Sequence, residues 1–237
     1  MGTRREHPGR VRLRPGGRTL MTINICFHGI GDSSREREAG GERYWIERDV
    51  FLAVLDEVRE RPDVRLSFDD GNVSDIETGL PALVERGLHA TFFPIAGRLE
   101  ESHSLNPSDL RALRAAGMEI GTHGWAHVPW RGLNTQEQQR ELVDAREALA
   151  EASGGRIDDA ALPLGRYDRR LLAQLRHREY RTVFSSDRYP ARSSAWLQPR
   201  YSLTAADTVA TVRHLITDRA RLADLRSRTR SAVKRLR

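Results

Sequence analysis

Cysteine occurs once in the chain, at Cys26, which excludes an intramolecular disulfide and any cysteine-built zinc site. Lysine also occurs once, at Lys234, against 39 basic residues in all; this is read as an arginine bias of composition without functional weight. No apolar run approaches the roughly 20 residues of a membrane span. The first twenty residues are arginine-rich but lack the apolar core of a secretory signal. These absences lead to the expectation of a cytoplasmic protein in a reducing compartment. There is no internal repeat, and no low-complexity segment beyond the two arginine-rich ends.

The 237 residues, 38% hydrophobic and 30% charged, suffice for one sizeable domain with a real core. The net charge of +6 suggests a nucleic-acid binder until it is located. Residues 1–20 carry +5 and residues 219–237 carry +7, so residues 21–218 carry −6. The basic character belongs to the ends, and no nucleic-acid partner is inferred for the domain.

Apolar runs at 23–27, 64–68, 90–96, 118–122, 160–164 and 182–186 read as short buried strands. Helical patterns lie between them, with Phe51, Leu52, Val54, Leu55 and Val58 in one, a start at Asn106 to Ser108 in a second, and Leu142, Ala145 and Leu149 before Gly154 in a third. Strand then helix, repeated about six times, predicts a parallel sheet with helices outside it, as a barrel or a doubly wound sheet. In either case chemistry gathers at the carboxyl ends of the strands. Those ends carry His28, Asp69 with Asp70, the stretch THGWAH (122–127), and PLGRY (163–167).

Asp69 and Asp70 are adjacent carboxylates at the end of an apolar run, and like charges resist burial unless a cation, hydrogen bonds or water compensate them. His123 and His127, four residues apart, would share one face of a helical turn and reach one metal. That spacing alone is common by chance. With a carboxylate from a neighbouring strand end it becomes a two-histidine, one-aspartate set that leaves positions open for water and substrate. Zinc is the first expectation, and the same ligands suit Co, Fe(II), Mn or Ni.

SFDDG followed about fifty residues later by EIGTHGWAH resembles the first two motifs of the polysaccharide deacetylase family, the NodB-homology domain. HATFFPIAGRL (89–99), the lead-in LRALRAAGMEIGTH, and residues 163–187 extend the likeness over about residues 22–204. The resemblance implies a single distorted (β/α) barrel with fewer than eight repeats, one divalent metal, and hydrolytic removal of an N-acetyl group from a carbohydrate. Carried over by position, Asp70, His123 and His127 would hold the metal. Asp69 would act as general base on metal-bound water attacking the acetamide carbonyl, and the backbone N–H near Leu164 would stabilise the oxyanion. A first-strand histidine takes the acid role in one branch of the family, which marks His28.

The third motif departs from the family. Ala161-Leu162-Pro163-Leu164 stands where an Arg-x-Pro-aromatic pattern is usual, so the arginine that orients the base is missing there. Arg166 and Arg200 are the nearest substitutes; Arg200, at a late strand end, is preferred as base partner or substrate-charge contact, against the reading of a plain surface arginine. The late Leu-x-His motif is absent, and His214 sits in a helical pattern expected to be exposed. Trp125 and Trp130 are expected to stack on sugar, with core filling as the alternative. Arg131 reads as a substrate contact or a helix start. Residues 29–45 read as a mobile loop over the metal or an inert surface loop.

The expected organisation is a disordered basic arm (1–20), a catalytic domain (21–206) and a basic amphipathic helix (207–237). The stripe of Leu215, Leu222, Leu225, Ala232 and Leu236 on that helix faces either the domain or an anionic membrane surface. Hydrolysis of another linear or cyclic amide, or glycan binding without catalysis, are the alternative functions.

Overall fold

The computed structural model describes residues 20–217 and 222–236, so residues 1–19 of the expected basic arm (1–20), residues 218–221 and Arg237 lie outside the described residues. Ten strands and eight α-helices are described: β1 (Met21–Phe27), β2 (Gly29–Ile30), β3 (Trp45–Ile46), α1 (Arg48–Val58), β4 (Val64–Asp70), α2 (Leu80–Glu85), β5 (Ala90–Pro94), α3 (Pro107–Ala115), β6 (Glu119–Ile120), α4 (Thr135–Gln139), α5 (Ala145–Ser153), β7 (Asp159–Ala161), α6 (Arg169–His177), β8 (Thr182–Ser185), β9 (Ala191–Arg192), β10 (Leu197–Ser202), α7 (Val209–Thr217) and α8 (Leu222–Leu236).

Seven strands pair in the order β6-β5-β4-β1-β10-β8-β7, all in parallel. Thr122, just beyond β6, bridges to β7: its N–H donates to the Asp159 carbonyl at 3.0 Å and its carbonyl accepts from Ala161 N at 2.9 Å. The sheet thus curls into a nearly closed barrel of seven strands, the distorted barrel anticipated from the sequence. β9 pairs antiparallel with the start of β1, and β2 with β3 forms a separate two-residue ladder.

Alternation along the strands separates two interiors. Ile23, Ile25 and Phe27 of β1 and Leu66 and Phe68 of β4 join Phe51, Val54 and Leu55 of α1 in the main apolar core, outside the barrel wall. The residues between them face the barrel lumen. There Asn24 Nδ2 donates to Gln198 Oε1 at 3.0 Å, and Arg200 meets Ser67 and Asp69. Polar lumen residues are therefore buried with partners, and they converge toward the strand ends where chemistry is expected.

The helices follow their local signals. Asn106 and Asp109 form a reciprocal capping box at α3, and α5 ends at Gly154 in the left-handed conformation. The C-terminal region contains two helices, α7 and α8, on either side of residues outside the description. Leu215 packs against the main core, whereas Leu225 (61%), Val233 (43%) and Leu236 (80%) are exposed. The face of α8 that packs on the domain is instead polar, with Ser231 at its centre. No helix among the described residues is long and apolar enough to cross a membrane.

Candidate active site

β4 delivers Asp69 and Asp70 to the carboxyl end of the barrel with different surroundings. Asp69 points into the lumen, where Arg200 of β10 grips it through two parallel bonds, Nη1 to Oδ1 and Nη2 to Oδ2, both 2.6 Å. The side chains are 2% and 4% exposed. Arg200 also donates to Ser67 Oγ at 3.0 Å, and its guanidinium lies 5.3 Å from the ring of Phe93 and 5.6 Å from that of Phe184. Burial works to raise the Asp69 pKa; the Arg200 charge, helped by His123, overrides it and holds the carboxyl well below the usual carboxylate range. A guanidinium, absent from the third motif, thus stands against Asp69 from a different strand, with both Asp69 oxygens engaged, and Arg200 also borders the cavity.

Asp70 faces the pocket. Its backbone is left-handed, φ 74°, an uncommon conformation for a residue other than glycine. Its Oδ1 is buried without a hydrogen-bond partner, 3.6 Å from His123 Nε2 and 3.7 Å from His127 Nε2. One ligand atom from each of the three lies within 4.8 Å of the others. Atoms bound to one tetrahedral metal at about 2.0–2.2 Å stand roughly 3.4 Å apart, so the set fits a cation with little adjustment.

The two histidines are held with their Nε2 lone pairs toward that point. His123 Nδ1 lies 2.9 Å from the Ala161 carbonyl, which can only accept, so Nδ1 carries the proton and Nε2 is free to ligate. Burial pulls the His123 pKa down to about 4, keeping it neutral at pH 7. His127 Nδ1 donates to both oxygens of Glu38, at 2.7 and 2.8 Å. Through this bond the Glu38 carboxyl falls to about 2. For His127 burial acts downward, and the Glu38 bond and Asp70 charge outweigh it, so its pKa is raised.

The helical turn expected for His123 to His127 is not formed; this is an irregular loop. Its shape is set by Gly124, φ 83°, where a Cβ would strike the Glu141 carboxylate and the Trp130 indole, and by His127, φ 54°. Buried Glu141 accepts the Trp125 N–H at 2.8 Å and the Ala126 N–H at 3.1 Å, pinning the loop from behind. The i, i+4 spacing places both imidazoles together here through a turn rather than a helix.

These groups open into a cavity of about 290 Å³ lined also by His28, Tyr44, Leu164, Gly165 and Arg166. His28 Nδ1 is buried without a partner, and its ring stacks on Tyr44 at 4.7 Å. A His28 nitrogen, the Cys26 sulfur and an Asp69 oxygen form a second close group, within 4.8 Å of one another. Arg200 already engages both Asp69 oxygens of this group. Leu164 lies at the mouth in a left-handed conformation, φ 54° and ψ 12°.

The tryptophans do not line the cavity. Trp130 is 1% exposed in an apolar cluster with Leu142, Leu162 and Leu171, so its faces are closed to a sugar. Trp125 packs against the main core, with Arg140 over its ring. Arg131 pairs with Asp168 at 3.3 Å, and His214 lies exposed on α7. Residues 29–45 are neither plain surface nor unanchored, since they run from β2 to β3 and deliver Glu38 and Tyr44. Sequence reasoning missed Glu38, Glu141 and the Arg98 contact to Glu38; the only signal was an acidic residue in a polar loop following His28. A larger cavity, about 810 Å³, opens at the opposite barrel end, where Arg181 is neutralised by Asp159 and Glu119.

Comparison with known proteins agrees with this geometry. The chain is 28% identical over 114 residues to the peptidoglycan-N-acetylmuramic acid deacetylase PdaC of Bacillus subtilis, covering 48% of this chain and 24% of that one. It is 24% identical over 141 residues to the peptidoglycan-N-acetylglucosamine deacetylase PgdA of Listeria monocytogenes, covering 59% and 28%. The chain thus spans about a quarter of the length of these curated relatives. Among solved structures, the Streptococcus pyogenes deacetylase PplD in complex with acetate has the same fold, with a TM-score of 0.72 at 15% identity over 84% of this chain and 99% of that one. The polysaccharide deacetylase family profile matches residues 56–183, more than half of the chain and the whole span from β4 through both motifs to β8, and the protein belongs to that family.

Proposed function

We propose that the protein is a metal-dependent hydrolase that removes N-acetyl groups from a carbohydrate, with zinc as the first candidate metal. The observation that carries the reading is the unpartnered, buried Asp70 Oδ1 between two histidine Nε2 atoms whose tautomers are set by Ala161 and Glu38. A two-histidine, one-carboxylate set fits a divalent transition metal, which when bound supplies Lewis acidity toward water and the acetamide carbonyl.

The chain's own groups divide the remaining work. Asp69, kept ionised and oriented by Arg200, takes the proton of the attacking water. The departing amine must be protonated or the addition reverses, and His28 stands at the Asp69 end of the cavity to do this. The Leu164 backbone N–H serves the developing oxyanion. Because Arg200 stands in for the third-motif arginine, the departure in that motif gives no support to a non-catalytic reading. The membrane contact belongs to the same proposal: α8 turns Leu225, Val233 and Leu236 outward near Arg226 and Arg230, a pattern suited to an anionic lipid surface.

The test combines elemental analysis with acetate release from N-acetylated sugars and oligomers after addition of Zn or Co. Close to one transition metal per chain is expected, falling sharply in Asp70→Ala and His123→Ala, with metal-dependent acetate release by the parent only. Wild-type metal content in both variants would end the ligand assignment.

A further inference from the structure

The single lysine of the chain is not idle. Lys234, on α8, donates to Asp187 Oδ1 at 2.7 Å and to the backbone carbonyl of Gly165 at 3.1 Å. Gly165 lines the active-site cavity together with Leu162, Leu164 and Arg166, so the bond runs from the last helix to the cavity wall.

That wall has an unusual backbone. Leu164 (φ 54°) and Gly165 (φ 60°) are consecutive left-handed residues, and Leu164 is a residue type that rarely adopts this conformation. A Cβ at position 165 would collide with Ser186 Oγ, so the turn is pressed against the chain after β8. A strained backbone persists only where its surroundings hold it. Within the turn itself the bonds are Gly165 N–H to the Leu162 carbonyl at 3.1 Å and Arg166 N–H to the Pro163 carbonyl at 3.4 Å. Lys234 adds a charged donor from outside.

Its anchorage is directional. Asp187 is a buried carboxylate that can only accept, so Tyr167 O–H donates to its Oδ2 at 2.6 Å and Ser185 O–H donates to the same atom at 2.7 Å. With the Tyr167 proton committed, the Ser231 hydroxyl must donate to the Tyr167 oxygen at 2.8 Å. Ser231 then accepts from Tyr189 O–H at 3.0 Å, and Tyr189 accepts from Arg235 Nη2 at 2.8 Å. The chain of donors therefore starts and ends on α8, with Arg235 at one end and Lys234 on Asp187 at the other. In this way α8 docks through a polar face and presents Lys234 at a fixed place.

We propose that Lys234 is a positioning residue for the active site. By holding the Gly165 carbonyl and Asp187 it keeps the wall at residues 163–165 in the conformation that presents the Leu164 backbone to the substrate. The inference rests on the deacetylase reading for its effect on turnover, but the hold on the loop is a separate, directly measurable property. A misplacement of about 1 Å at a reacting group can cost about 100-fold in rate.

The test uses the full-length, metal-loaded protein as Lys234→Met, Lys234→Arg and the double variant Lys234→Met/Asp187→Asn. The double removes both charges, leaves Tyr167 and Ser185 a partner oxygen, and guards against the single variant failing to fold. Hydrogen exchange at the Gly165 and Arg166 amides is measured with kcat, KM for acetate release, and metal content. In the Met variants exchange at those two amides should rise about 10-fold while the amides of β1 and β4 hold. Turnover should fall roughly 10- to 100-fold at nearly constant KM and unchanged metal content, and Lys234→Arg should recover kcat to within about threefold. Wild-type exchange at Gly165 in the double variant overturns the proposal, as does raised exchange with kcat within twofold of the parent. If the parent releases no acetate from any substrate, the deacetylase reading falls, and exchange alone decides whether Lys234 holds the loop.

Discussion

Replacing Arg200 by methionine keeps most of the side-chain volume and removes the charge that faces Asp69. Asp69 then keeps its burial and loses both 2.6 Å bonds and the guanidinium that makes them. Removing one partner of a buried pair costs about 3–5 kcal/mol, because the other charge is left uncompensated. For a domain of this size each kcal/mol lowers Tm by about 2–4 °C, so Arg200→Met should melt roughly 6–20 °C below the parent.

The pH dependence gives a sharper signature. In the parent, Arg200 holds the folded pKa of Asp69 below its unfolded value, so the pair stabilises above about pH 4 and the contribution is lost only as pH falls further. In Arg200→Met burial, the largest influence, meets only the weaker pull of His123 and His28, and the folded pKa lies above the unfolded one. Stability is then retained below about pH 4 and lost as pH rises through the shifted value. The difference between parent and variant, measured by urea unfolding, should therefore widen from pH 4 to pH 8. Adding Asp69→Asn should recover much of the loss, with a coupling of at least about 2 kcal/mol in the double-mutant cycle. Additive losses, or a difference independent of pH, would refute the account of Asp69 as a carboxylate held ionised by Arg200.

Glu38→Gln removes the charged acceptor behind His127 and should weaken metal binding by about 10- to 100-fold in a chelator competition; unchanged affinity would remove Glu38 from the metal site. His28→Ala should retain metal and fold yet lose roughly 10²–10⁴ in turnover, with His214→Ala nearly silent, and the reverse pattern would mean the acid is misassigned. Tyr180, whose hydroxyl donates to the Leu142 carbonyl, has its pKa pushed up by burial to about 12, against about 10 when unfolded. Its contribution is complete below pH 10 and lost as pH rises toward 12, by roughly 3 kcal/mol, so alkaline unfolding of Tyr180→Phe should be the less steep. Vesicles of phosphatidylglycerol and phosphatidylcholine at low salt should retain the full-length chain, and Leu225→Glu with Leu236→Glu should release it; retention by phosphatidylcholine alone would rule out the charge-led contact.

Much of the architecture could be read from local pattern. The apolar runs that became β1, β4, β5, β6, β7 and β8, the Asn106 cap and the Gly154 stop are short-range signals, set by side-chain alternation and backbone preference within a few residues. Asp69, Asp70 and His123 could be picked out for the same reason, since each sits at the end of such a run, and His127 by its spacing of four from His123. Other features required the closed barrel. Arg200 reaches Asp69 across 131 positions of sequence because β1 pairs with β4 on one side and β10 on the other, turning both side chains into one lumen. Glu38 reaches His127 across 89 positions from a loop without periodicity. Trp130 looked like a sugar platform because an aromatic beside a histidine motif has the same local sequence whether it faces a pocket or a core; packing by Leu142, Leu162 and Leu171 decided the matter. For α8 the sequence left open whether the apolar stripe faces the domain; Leu225 and Leu236 of that stripe are exposed, and a polar face docks instead. Periodicity reports how residues are distributed around a helix, but the face that docks is chosen by the surface it meets, and here Tyr167, Asp187 and Tyr189 offer that surface hydrogen bonds to Ser231, Lys234 and Arg235.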